Sequence, residues 1–158
     1  MKSYILIKKE GFDPCGNALS ADECVRKLLA WKGWPLWERT KNRKSVKAGD
    51  RLCIYVTGDT PNKHHVVASA TIKTVVQWSL AHDRTFPIEK DAVPSVVLTL
   101  TDCHMFNLPV SVPDKLDTLS FIPENRKKWG VAFMGGIRAI TSDDYDQLVE
   151  TPTMQNAA

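Results

Sequence analysis

The sequence lacks the short motifs that mark the common enzyme classes. It contains no glycine-rich phosphate loop, no dinucleotide-binding G-x-G-x-x-G, no G-x-S-x-G nucleophile turn, no H-E-x-x-H zinc motif and no calcium-binding loop. These absences argue against nucleotide hydrolysis, dinucleotide-dependent redox chemistry, serine hydrolysis and zinc proteolysis by their usual arrangements. The sequence therefore predicts a protein that is not an enzyme, with no catalytic residues and no cofactor.

Long apolar runs are absent as well. Those at residues 4–7 and 95–100 are far shorter than the roughly 20 residues that a membrane-spanning helix needs. The first residues lead directly into Lys8, Lys9 and Glu10, without the apolar segment and cleavage site of a secretory signal. We therefore expect a cytoplasmic protein that has no membrane contact.

The cysteines are few and scattered. None of the four belongs to the C-x-x-C pattern that most often marks a zinc site: Cys15, Cys24, Cys53 and Cys103. Isolated thiols usually pack as small hydrophobic groups, so we expect structural cysteines and no metal site. His64 and His65 are adjacent, and on a strand they would face opposite sides of the sheet and could not share a metal ion.

One pair of residues keeps a catalytic alternative open. Cys103 is followed by His104, and a thiol with a nearby base is the core of many hydrolytic sites. The same two residues also fit the end of a strand. A small hydrolase is therefore an alternative, in which either substitution would abolish turnover and leave binding intact.

The distribution of apolar and turn-forming residues predicts a mixed α+β fold. Ser20 and Glu23 have the spacing of a helix capping box, and apolar residues at helical intervals follow them, so we expect a helix over residues 21–31. We expect Gly33 and Pro35 to end this helix and to begin a loop. The remaining predicted elements are a strand at 4–8, a turn at 11–17, a hairpin of 52–56 with 65–76, a strand pair of 95–101 with 106–112, and short helices at 113–119 and 141–150.

Two segments carry less regular patterns. Residues 81–94 are polar and bounded by proline, which favours a surface excursion, and residues 131–140 are ambiguous between strand and turn because they contain Gly135 and Gly136. Many strands with short helices around them indicate a small mixed β-barrel with peripheral helices. We expect one domain over residues 1–150 and a polar tail over 151–158.

Aromatic and basic residues concentrate in the segment 31–47. Trp31, Trp34 and Trp37 lie among six basic residues and one acid, a local net charge of about +5 in a chain whose total is +3. Lysine and arginine neutralise phosphates, and tryptophan faces stack on bases. This segment predicts a nucleic-acid contact, with Trp34 and Trp37 exposed in a loop and with Trp31 and Trp129 in the core.

The order of these features resembles the EVE domains of the PUA-like superfamily. The resemblance covers about residues 34–150. Its front half lies in residues 46–56 and 66–72, and its back half in residues 119–122, 127–129, 133–136 and 143–145. EVE domains are similar to YTH domains, which clamp a methylated adenine between aromatic walls. The resemblance implies a PUA-like fold and a reader of DNA or RNA that carries a modified base.

Carried onto this sequence, the resemblance implies a base pocket formed by Trp34, Trp37, Asn42 and Trp78. The surrounding basic residues would hold phosphate: Lys8, Lys9, Arg39, Lys41, Arg43 and Lys44. Two binding alternatives remain beside the hydrolase. One is a general PUA-type RNA-binding module that ignores modification, and the other is a small-molecule sensor that uses the same pocket. The sequence leaves the oligomeric state open.

Overall fold

The structure is a computed structural model that describes residues 1–37, 40, 44–79, 87–88, 94–134 and 136–149. Its strands are β1 Ser3–Lys8, β2 Gly11–Phe12, β3 Ala18–Leu19, β4 Gly33–Leu36, β5 Arg51–Val56, β6 His65–Gln77, β7 Val96–Ser111 and β8 Ile137–Ile140. Its α-helices are α1 Ala21–Trp31 and α2 Ser142–Leu148, and two 3-10 segments cover Pro113–Lys115 and Arg126–Phe133.

Helix α1 begins and ends where the sequence predicted. The Ser20 hydroxyl accepts a hydrogen bond from the Glu23 amide at 3.2 Å, and the Glu23 carboxylate accepts one from the Ser20 amide, so the predicted capping box is present. The helix ends at Lys32, whose left-handed φ of 60° turns its amide onto the carbonyls of Leu28 and Leu29. This turn points the chain directly into β4.

The main sheet is mixed and has the strand order β4-β7-β6-β5-β1-β8. Strands β1 and β5 run parallel, and the other neighbours run antiparallel. A parallel pair needs a long crossover connection, which here includes α1. Strands β4 and β8 are therefore the two edges of the sheet, although they lie far apart along the chain.

The two longest strands bend the sheet. Strands β6 and β7 shift register at three places along their pairing, and at one of them Asp102 takes a left-handed φ of 51°. Extra residues of this kind bend a strand and increase its twist. The prediction of two strands interrupted near residues 102–104 is therefore wrong, because the interruption is a bulge inside one continuous strand.

The loop predicted around Gly33 and Pro35 is also wrong. These residues form β4, in which Trp34 pairs with Leu98 and Pro35 pairs with Val97. Proline is tolerated there because β4 is an edge strand, where a missing N–H can face away from the ladder. The consequence for Trp34 is large, since only 4% of its surface remains exposed.

Alternating residues of the central strands separate two hydrophobic clusters. Leu52, Ile54 and Val56 of β5 pack with α1 and β4, whereas Cys53 and Tyr55 pack with α2 and the 3-10 segment Arg126–Phe133. This alternation is the expected period of a strand that is covered on both faces. The architecture is a curled six-stranded mixed sheet with short helices, and the predicted α+β class with peripheral helices is confirmed.

The remaining elements follow the predictions in part. The β5–β6 hairpin is present, and α2 is capped by Thr141, whose hydroxyl accepts from the Asp144 amide at 3.1 Å. The helix expected over 113–119 is a single 3-10 turn, and the ambiguous residues 131–140 comprise the end of a 3-10 segment and then β8. Most of the predicted surface excursion at 81–94 lies outside the described residues. The whole of the predicted tail at 151–158 lies outside them as well. None of the described helices is long and apolar enough to cross a membrane.

Candidate functional site

A pocket of about 100 Å³ lies where the two edges of the curled sheet approach each other. Strand β4 forms one side, and the end of β1 with the residue before β8 forms the other. The residues that line the pocket are Ile7, Lys8, Leu28, Trp34, Pro35, Leu36, Trp37, Thr40, Ile88 and Gly136. The pocket therefore exists because the bulged strands β6 and β7 bring two distant edges together.

Trp34 lines this pocket from the core side. The pairing of β4 with β7 fixes its position, and its side chain is almost fully buried. Leu36, two residues further along the strand, is also buried and also lines the pocket. Residues two apart on a strand share one face, so these two side chains form a continuous apolar wall.

Trp37 lies directly after the end of β4, and two hydrogen bonds join it to Thr40. The Trp37 amide donates to the Thr40 hydroxyl at 3.1 Å, and the Thr40 amide donates to the Trp37 carbonyl at 3.0 Å. The exposed fraction of Trp37 is 36%, in contrast to the buried Trp34. Trp37 is therefore a partly open aromatic face on a backbone segment that is held in place.

Gly136 closes the opposite side of the pocket. Its carbonyl accepts a hydrogen bond from the Ile7 amide at 2.8 Å, which extends the pairing between β1 and β8. Its φ of +84° lies in the left-handed region that favours glycine. A Cβ atom at this position would lie 3.8 Å from the Thr40 side chain, an ordinary contact. The backbone conformation, and not a lack of space, is the reason for glycine here.

Lys8 is the one charged side chain among the described residues that line the pocket. Burial lowers the pKa of its ammonium group, and this effect outweighs the opposing influence of Cys24 and Glu10. The rest of the described lining is apolar except for the Thr40 hydroxyl. An apolar cavity of about 150 Å³ holds benzene, so this smaller pocket would take only part of a base, with the rest of the ring at its open mouth.

The structure brings together only some of the predicted site residues. Trp34, Trp37 and Lys8 line the same pocket, whereas Trp78 is absent from the described lining. Trp78 instead packs edge-on against Trp31, with ring centroids 5.9 Å apart and an interplanar angle of 83°. The prediction that Trp78 is the second wall of this pocket is therefore not supported by its position.

The predicted phosphate contacts fall into three groups. Lys9 and Lys44 are exposed and are not part of the described pocket lining. Lys8 was predicted to contact phosphate at the rim, but it is half-buried and lines the pocket itself. Asn42, predicted as a polar contact in the pocket, and the basic residues Arg39, Lys41 and Arg43 lie outside the described residues.

Sequence reasoning missed most of the lining. Ile7, Leu28, Leu36, Thr40, Ile88 and Gly136 come from separate elements, and only their spatial arrangement brings them together. Gly136 gave one local signal, because a Gly-Gly pair often marks a special backbone conformation. Nothing in the sequence indicated that this conformation faces Thr40.

The residues of the hydrolase alternative, Cys103 and His104, lie on β7 outside the described pocket lining. Burial is the main cause of the raised pKa of the Cys103 thiol, and a raised pKa disfavours the reactive thiolate. The His104 ring lies 5.5 Å from the Phe106 ring on the same strand. No three His, Cys, Asp or Glu side chains gather as a metal-ligand set in the part of the chain that the structure describes.

Comparison with known proteins shows a shared fold. No family model matches the sequence, and no curated protein matches it. Among solved structures, a hypothetical protein from Leishmania major is 12% identical, has a TM-score of 0.56, and the match covers 99% of this chain and 97% of that one. A protein from Pseudomonas syringae is 12% identical, with a TM-score of 0.53 and coverage of 91% and 95%. One from Agrobacterium tumefaciens is 16% identical, with a TM-score of 0.51 and coverage of 94% and 90%. At these identities the likeness concerns the fold alone.

Proposed function

We propose that this chain is a nucleic-acid-binding domain of the EVE type, which accepts one exposed, modified base of DNA or RNA in the pocket between β4 and β1. The observation that carries the proposal is the pairing of a partly exposed Trp37 at the pocket with a buried Trp34 behind it. Base stacking on an aromatic side chain contributes roughly 1 to 3 kcal/mol. The pocket therefore offers a stacking face where the fold leaves room for a ring.

The position of the basic residues supports the same function. Among the described basic residues, Lys9 is exposed beside the pocket. Strand β1 ends in the pocket at Lys8, and the exposed Lys9 follows directly. Exposed lysines on this side can neutralise the phosphates that flank a bound base.

A single-stranded or damaged site is the favoured substrate form. Extruding a base from an intact duplex costs a few kcal/mol, and least where the base is already unpaired. The described pocket lining contains no histidine, cysteine or carboxylate, and the Cys103 thiol outside it has a raised pKa. We therefore propose binding without turnover.

The test is a titration of single-stranded oligonucleotides that contain one central methylated or unmethylated base, at several salt concentrations. We expect the logarithm of the association constant to fall linearly with the logarithm of the salt concentration. The slope should correspond to roughly 3 to 5 neutralised phosphates. Tighter binding of the methylated strand would support a modified-base reader, and equal binding would leave a general PUA-type module. Equal affinity for a free nucleoside and for the oligonucleotide, without salt dependence, would contradict the proposal and favour a small-molecule sensor.

A further inference from the structure

The Lys8 ammonium has unusual surroundings. It lies close to α1 and to the turn after β1, since a Cβ atom on Gly11 would be 4.0 Å from Lys8 Nζ and 3.3 Å from Cys24 Sγ. Lys8 also lines the pocket, together with Leu28, which is one helical turn beyond Cys24 on α1. The half-buried Lys8 side chain therefore lies between the helix and the pocket.

Neither of its two polar neighbours satisfies this ammonium group. Burial raises the pKa of the Cys24 thiol, so the thiol is neutral at neutral pH. The Glu10 carboxylate accepts a hydrogen bond from the Asp59 amide at 3.3 Å, and no ion pair joins it to Lys8 within the described part of the chain. A lysine ammonium group has three donors and no acceptor, so water or a ligand must supply its acceptors.

We propose that Lys8 determines which bases the pocket takes, and that it selects bases that present a keto oxygen over bases that present an amino group at the same position. This inference rests on the proposed function. Guanine offers O6 and N7 as adjacent acceptors and thymine offers O4, whereas adenine and cytosine place amino donors at the corresponding positions. An amino group facing Lys8 would bring two donors together and leave the ammonium group without a partner.

The lowered pKa of Lys8 is consistent with this role. Burial without a compensating anion disfavours the charged form, and a bound acceptor would restore the missing hydrogen bonds. A charged donor that lines a pocket discriminates between ligands, because a ligand that presents another donor leaves it without a hydrogen-bond partner. The apolar lining from Trp34 and Leu36 would hold the ring and carry no preference between the two classes of base.

The experiment uses two pairs of single-stranded oligonucleotides that differ in one central base, hypoxanthine against adenine and uracil against cytosine. Each pair exchanges one keto group for one amino group. We expect the keto member to bind about 5- to 150-fold more tightly, the factor that corresponds to roughly 1 to 3 kcal/mol. Lys8→Met keeps the length of the apolar stem and should remove this preference.

Lys9→Met is the matched control, because it removes a neighbouring exposed charge. It should weaken all four strands by a similar factor and keep the keto preference. If the parent protein binds the strands with equal affinity, or binds the amino members more tightly, this inference is wrong and nucleic-acid binding still stands. If no strand binds at all, the proposed function itself fails. If Lys8→Met does not fold, the keto preference is measured in the parent protein and in Lys8→Gln instead.

Discussion

The molecule contains two groups of aromatic residues next to basic sequence, and they differ in what covers their rings. Around Trp129, the rings of His64 and Phe133 lie with their centroids 4.9 Å and 5.8 Å from the indole, and Tyr55 stacks on Phe133 at 4.5 Å. In the pocket, no described aromatic ring packs against Trp37. The rings of the first group pack on one another as a closed cluster, whereas 36% of the surface of Trp37 is exposed.

The difference shows that composition alone does not identify a binding surface. Lys127 and Lys128 precede Trp129, and basic residues also surround Trp37. By sequence alone, either segment could therefore be a nucleic-acid contact. Only the neighbours in space separate them. Where the protein supplies its own ring to each aromatic face, as around Trp129, the aromatic residues stabilise the fold. Where a face is left uncovered beside a pocket, they are available for recognition.

The largest effect is expected for Trp34, the buried side chain behind the pocket, and it is a loss of stability. Trp34→Ala removes a side chain that is 4% exposed and leaves a cavity next to β7, so we expect a loss of about 3 to 5 kcal/mol in the free energy of unfolding. Chemical denaturation measures this loss. The sequence predicted the opposite, a pocket residue whose removal costs little stability. A Trp34→Ala variant that is as stable as the parent would contradict the assignment of β4 to the core.

The reason for this reversal lies in what local sequence signals can report. The capping residues Ser20 and Glu23 lie within one helical turn, and they fixed the start of α1 correctly. Gly33 and Pro35 are also strong local signals, but both are compatible with an edge strand, and only pairing with β7 decides between strand and loop. The sequence around Asp102 is ambiguous in the same way. A bulge within one strand and the end of a strand have similar local sequences, so the prediction placed two strands where β7 is continuous.

The sequence indicated three residues of the pocket, Trp34, Trp37 and Lys8, although Lys8 was predicted as a phosphate contact at the rim. Trp34 and Trp37 stand out by residue type, and the basic residues around them indicated a ligand with negative charge. The other side of the pocket comes from Ile7, Lys8 and Gly136, which reach it through the β1–β8 pairing at the opposite edge of the sheet. Register between distant strands is set by long-range pairing, so no local pattern places these residues opposite Trp37.

A second prediction separates binding from stability. Trp37→Ala removes a partly exposed side chain, so we expect unfolding close to that of the parent and a loss of roughly 1 to 3 kcal/mol in oligonucleotide binding, or about 5- to 150-fold in affinity. Thermal melts and binding titrations measure the two effects. Trp78→Ala is the control, since Trp78 packs against Trp31 and is outside the described pocket lining. Unchanged affinity in Trp37→Ala would exclude Trp37 as a stacking face.

The smallest expected effect concerns the closed cluster and is a change in pH dependence. Burial is the main cause of the lowered pKa of His64, with Lys63 and His65 adding to it. The unfolded chain therefore binds a proton at this site more readily than the folded chain. The His64 contribution to stability is present above the ordinary histidine pKa of about 6.5 and is lost as the pH falls through the lower folded-state value.

Trp129→Ala opens the ring of His64 to water, so the pKa of His64 should rise towards its ordinary value and the loss of stability on acidification should become smaller. NMR titration of the His64 ring measures the pKa, and denaturation at pH 7 and at about pH 5 measures its consequence. Trp31→Ala removes another partly buried indole, one whose ring partner is Trp78, and should leave the His64 titration unchanged. Oligonucleotide affinity at pH 7 should stay that of the parent in Trp129→Ala, because Trp129 is not part of the described pocket lining. A large loss of affinity in this variant would show that the cluster belongs to the binding surface, and the distinction between covered and uncovered rings would fail.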